Sequence, residues 1–198
     1  MIQRASEQKS QSEIFPLKGI LIAGIGNIFM GDDAFGCQVA AELAKQTLPD
    51  CVTVCDFGIR SYDLAYAMME DYNVVILIDA SPRGETPGTL YLIEPETGKN
   101  KLDERGEEVV NAHSMNPVRA LDMVRYLGGY PKKLYVLGCE PGVLESEEGR
   151  MGLSEQVKAA VDPAVNMIKK LIFEIRADES GPSDPEKNKT KSSPQGET

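Results

Sequence analysis

The residues of this chain whose types could act together are two carboxylates and its single imidazole: Asp33, Asp79 and His113. Asp33 ends the stretch Gly24-Ile25-Gly26-Asn27-Ile28-Phe29-Met30-Gly31-Asp32-Asp33, Asp79 closes the apolar run 74–79, and His113 lies in Asn111-Ala112-His113-Ser114-Met115-Asn116-Pro117. Two carboxylates and one imidazole meeting at a crevice make a three-ligand set for a borderline divalent ion, with positions left open for water or a substrate group. Each residue also has a plainer role. Acids at a helix start cap it and complement its dipole, and an Asp before Ala80-Ser81-Pro82 suits a turn. A His beside Asn116 and Pro117, which mark a helix start, suits a capping or surface position. One acid is enough for a cap, so if Asp32 takes that part, Asp33 is free to face the strand ends.

The glycine stretch also opens like a dinucleotide-binding loop. Phe29 stands where that fingerprint needs a third glycine, and Asp32 and Asp33 put negative charge where a pyrophosphate needs positive potential. Asp56, at the end of the second apolar run, could serve as the ribose-binding acid, which keeps the nucleotide reading open. A cysteine peptidase built from Cys139 and His113 is the rival chemistry, set against the tendency of cysteine to be buried and inert. The other cysteines, Cys37, Cys51 and Cys55, show no C-x-x-C spacing and are expected to be buried thiols. Cys51 and Cys55 would be roughly 13 Å apart along a strand, too far for a disulfide. Arg60, Arg119 and Arg125 are read as solvated surface, and Met68, Met69, Met115 and Met123 as core or adaptable contact surface.

The elements that must position these residues alternate along the chain. Apolar runs at 19–23, 51–56, 74–79, 89–94 and 134–138 predict strands. Helical patterns are expected at about 33–47, 62–69, 117–127 and 154–174. Continuous apolar strands such as ILIAG and VVILID are buried on both faces, which predicts an α/β fold: a three-layer sandwich with a mostly parallel, twisted sheet of about five strands flanked by helices. In such sheets ligands bind beyond the carboxyl ends of the strands, where Asp33 and Asp79 would emerge. The polar segments at 1–16 and 177–198 are expected to be disordered extensions of a single domain at 17–176.

At 198 residues, 41% hydrophobic and 26% charged, the chain has the composition of a globular domain. A formal net charge of -10 disfavours nucleic acid and anionic membranes as partners. The polar N-terminus lacks the apolar core of a signal peptide and no window has the length of a membrane span, so a cytoplasmic protein is expected.

Taken together, GIGNIFMGDDAFG, the strand VVILIDA with its Asp, the single His before a helix, and KLYVLGCEP resemble the hydrogenase maturation proteases, over about residues 19 to 174. The resemblance implies an α/β fold and an endopeptidase that removes a short C-terminal extension from the nickel-loaded hydrogenase large-subunit precursor. Asp33, Asp79 and His113 match the positions that hold or sense the metal in that family, with catalysis assigned to the same three residues. The nickel is expected to be supplied by the substrate, and the enzyme to act as a monomer. The segment Asp56-Phe57-Gly58-Ile59-Arg60-Ser61 departs from the acid followed by a Gly-Gly-Thr-like turn of many members, which leaves the hydrogenase served unassigned. The alternative is a nonenzymatic nickel-dependent or nucleotide-binding escort of the large subunit.

Overall fold

The computed structural model describes residues 19–70, 72–95, 131–144 and 151–179. Strands β1 (Ile20–Ile25), β2 (Val52–Gly58), β3 (Val74–Ala80), β4 (Leu90–Ile93) and β5 (Lys133–Cys139) form one sheet in the order β2-β1-β3-β5-β4. The first four positions in that order are parallel to one another, and β4 adds to the edge antiparallel to β5. The central strands β1 and β3 are buried at every residue, as their unbroken apolar runs require for a sheet covered on both faces.

Helices α1 (Phe35–Leu43) and α2 (Ser61–Met68) cover opposite faces. Strand side chains alternate between faces. Leu21, Ala23 and Ile25 of β1, Val75 and Leu77 of β3 and Leu134 of β5 pack with Leu64, Ala65 and Met68 of α2. On the other face α1 comes so near that a Cβ on Gly24 would lie 2.4 Å from the Gly36 carbonyl and 2.6 Å from Ala40 Cβ. The expected α/β architecture, a mostly parallel five-stranded sheet with flanking helices, is the one observed.

The expected helix at 33–47 is shorter, because a 3-10 turn occupies Gly31–Ala34 and the α-helix ends at Leu43. The expected helix at 154–174 is two helices, α3 (Glu155–Ala159) and α4 (Val161–Glu179). Pro163 explains the break: it has no N–H to give to residue 159 and its ring would crowd that carbonyl, but it is well tolerated in the first turn of a new helix. The helix expected at 117–127 lies outside the described residues. By compactness the chain divides into residues 1–165, which contain the whole sheet, and residues 166–198, whose described part is the remainder of α4. No helix among the described residues is long and apolar enough to cross a membrane.

Candidate active site

Three glycines fold the chain after β1 back onto the strand ends. Gly26 has φ +133, and a Cβ there would stand 1.7 Å from the Asp33 carbonyl oxygen, so the loop closes on itself only with glycine. Gly31, at φ +56, starts the 3-10 turn that carries Asp32 and Asp33. Gly36 seats the first turn of α1 on the sheet: its missing Cβ would be 2.1 Å from the Ile78 carbonyl and 2.3 Å from that of Ile25. Asp33 precedes that contact by three residues and Asp79 follows Ile78, so the two acids meet at the carboxyl ends of β1 and β3.

Their meeting is visible in their protonation. Asp79 is only 6% exposed. Burial, and then the charge of Asp33, raise its pKa to about 7, against a hydrogen bond from the Ala80 N–H that favours the carboxylate. Asp33 is raised as well, by burial, opposed by the Asn27 N–H that donates to its Oδ2 at 2.6 Å. Close by, Cys37 on α1 donates its thiol to the Gly26 carbonyl at 3.4 Å. Burial, then Asp56 and Asp33, push that thiol up to about 12. The crevice therefore holds two carboxyls whose charged forms burial disfavours, and a sulfur that stays protonated.

The partition between the two adjacent acids differs from the expected one. Asp32 caps neither the 3-10 turn nor α1. It is fully buried and reaches across the fold. Its Oδ2 accepts from the N–H groups of Gly142 and Val143, both at 2.8 Å, and from the Ser154 hydroxyl at 2.9 Å, while its Oδ1 accepts from the Ser154 N–H at 2.6 Å. Burial raises its pKa, but these bonds together outweigh burial and hold the carboxyl below its ordinary value. The expected cap by Asp32 is therefore replaced by a tertiary clamp, and it is the charge of Asp33 that bears on Asp79. His113 lies outside the described residues, and among those described no group of three His, Cys, Asp or Glu is arranged to hold a metal.

The same geometry argues against a nucleotide in the glycine loop. An anion site needs free amides, and here they are used internally: Gly26 N–H donates to the Gly58 carbonyl, Asn27 N–H to Asp33, Phe29 N–H to Asn27 Oδ1 and Met30 N–H to the Asn27 carbonyl. Phe29, 60% exposed, stands where the third glycine would serve. Asp56 is exposed and spends Oδ1 on the Gly58 N–H. Cys139 is fully buried, and burial followed by the charges of Asp32 and Glu140 raises its thiol to about 12, which leaves no thiolate for a cysteine-peptidase nucleophile. All four cysteines are free, as expected, but only Cys37 and Cys139 are buried; Cys51 and Cys55 are partly exposed.

Two polar groupings escaped the sequence reading. Glu140, buried just past β5, accepts from the N–H groups of Arg83 and Gly84 at 2.7 and 3.1 Å and from the Tyr91 hydroxyl at 2.6 Å. It fixes the loop after Asp79 to the end of β5. Arg60, read as solvated surface, donates to the carbonyls of Phe57 and Asp56 and so ties down the turn after β2. The one sequence signal for the first was a Glu directly after an apolar strand, a position where a free charge would be costly.

The sequence profile of the hydrogenase maturation proteases matches residues 37–171. A candidate hydrogenase maturation protease of Methanocaldococcus jannaschii is 34% identical over 152 residues, 76% of this chain and 94% of that one. The solved hydrogenase maturating endopeptidase HybD from Escherichia coli is 28% identical, with a TM-score of 0.65 over 79% of this chain and 93% of its own. A hydrogenase 2 maturation peptidase from a Thaumarchaeota archaeon is 31% identical, with a TM-score of 0.58 over 78% and 98% of the two chains. The chain belongs to the hydrogenase maturation protease family and is a hydrolase.

Proposed function

We propose that this enzyme removes the C-terminal extension of a hydrogenase large-subunit precursor after nickel has been inserted, with Asp33, Asp79 and His113 contacting the nickel that the substrate carries. The observation that supports the reading best is the meeting of Asp33 and Asp79 at the sheet's carboxyl edge, with Asp79 raised to about 7. The donors fit such an ion. A carboxyl that is half protonated near neutrality exchanges its proton for a cation at small cost, whereas an isolated proton-free pair would repel. The neighbouring Cys37 thiol is held protonated, so the described residues beside the acid pair present no thiolate, and nickel should bind weakly there by itself. Weak intrinsic affinity ties the cut to a metal already held by substrate cysteines. The chain's own residues orient that metal and, through whichever carboxylate is ionised, can hold the attacking water against the scissile carbonyl. The free thiols suit a reducing compartment, the cytoplasm, in which the protein works as a monomer.

Mass spectrometry of the precursor, nickel-loaded and nickel-free, incubated with the parent protein and with Asp33→Asn, Asp79→Asn and His113→Ala tests this. The nickel-loaded precursor should lose its extension only with the parent, and each substitution should slow processing by about 100-fold or more. Parent-like processing by any two variants ends the proposal, and a precursor left whole by the parent under both conditions points to an escort.

A further inference from the structure

We infer that Asp32 is a positioning residue for the proposed cut: by binding two segments from the other end of the domain, it fixes the 3-10 turn so that the carboxylate of Asp33 faces Asp79. The inference rests on the reading of Asp33 and Asp79 given above.

Four donors converge on one fully buried carboxylate, and they belong to two separate places in the chain. Gly142 and Val143 follow β5, and Ser154 precedes α3. The backbone takes part too, since the Asp32 N–H donates to the Val143 carbonyl at 2.9 Å. Residue 142 also lies against the carboxylate, since a Cβ there would be in van der Waals contact with Asp32 Oδ2 at 3.4 Å and tight against Pro87 at 3.2 Å. By contrast, the one hydrogen bond described for the Asp33 carboxylate comes from Asn27, within its own loop. A short 3-10 turn is a weak scaffold alone. Its orientation is set where it is anchored, and the anchor is the residue directly before Asp33.

Asp32→Asn keeps the shape but can no longer accept on both sides, so its amide would confront either Ser154 or the Gly142 and Val143 amides. Small displacements of a reacting group are costly: about 1 Å can lower turnover by 10²-fold. Two readouts are needed on the full chain, kcat and KM for processing of nickel-loaded precursor well below the melting temperature, and the amide proton shift of Asn27, which reports where the Asp33 carboxylate points. Asp33→Asn provides the reference for losing that carboxylate. The expected result for Asp32→Asn is an Asn27 amide proton moved upfield toward the Asp33→Asn position and kcat down by at least about 10-fold with KM little changed. Ser154→Ala, which deletes one hydroxyl, should move both in the same direction by less. A purely structural Asp32 would lower the melting temperature and leave both readouts per folded molecule as in the parent, and that result overturns the inference. If Asp32→Asn does not fold, an unmoved Asn27 amide in Ser154→Ala overturns it. The two ideas separate cleanly: parent-like processing by Asp33→Asn sinks the role of the acid pair, while the Asn27 amide alone decides whether Asp32 holds the turn.

Discussion

Asp79→Asn should make the protein more stable at neutral and alkaline pH while disabling it. In the unfolded chain the carboxyl of Asp79 titrates near 3.8, and in the folded protein near 7. Between those values the folded state keeps a proton that the unfolded chain has released, so stability falls as pH rises through that window and levels off above about 7. The interval is about three pH units at about 1.4 kcal/mol each, which sets a ceiling of about 4 kcal/mol on the penalty at pH 8. Local relaxation and water entry reduce it, and about 1–3 kcal/mol is expected. Asn has the same shape, carries no charge and still accepts from the Ala80 N–H that bonds the native carboxyl. Urea unfolding of parent and variant at pH 5 and pH 8 measures the effect: about two of the three units of the window lie above pH 5, so the variant's advantage should grow by about 1–2 kcal/mol between the two. Asp33→Asn should shrink the pH dependence of the parent without removing it, because burial is the larger cause and the Asp33 charge the smaller. A difference between parent and Asp79→Asn that does not change with pH, or a variant less stable at pH 8, would refute the argument. The stored penalty would be the stability given up for a carboxyl ready to exchange a proton for a metal.

Gly36→Ala should cost about 1–3 kcal/mol in stability by urea unfolding and slow precursor processing, because its Cβ would land 2.1 Å from the Ile78 carbonyl and lift the first turn of α1, with Asp33, off the strand end. Parent-like stability would contradict the close approach. Cys139→Ser should leave the rate of processing as in the parent, with a stability loss of about 1–3 kcal/mol for a buried hydroxyl; loss of activity in a folded Cys139→Ser protein would restore the cysteine-peptidase reading.

Much of the fold was legible because it is written in local pattern. Unbroken apolar runs such as Val74–Ala80 can be satisfied only by burial on both faces, and glycines and acids at their carboxyl ends mark where a site must open. The break before α4 was legible in principle as well, since Pro163 has no N–H for residue 159 and is well tolerated only in the first turn of a helix. The strand order and the antiparallel placement of β4 were not, because adjacency in a sheet is chosen by packing between residues far apart in sequence.

Sequence alone determined that Asp79 closes a buried strand and that Asp32 and Asp33 end the glycine loop that follows another. Tertiary structure decided what each does. The partners of Asp32 stand 110 to 122 positions away, at Gly142, Val143 and Ser154, and no local spacing could announce them. The raised pKa of Asp79 likewise comes from burial and from a charge 46 positions distant in the chain, quantities that exist only once the sheet and α1 have closed around it. Residue types fix which groups can ionise; the folded neighbourhood fixes how much it costs them to do so.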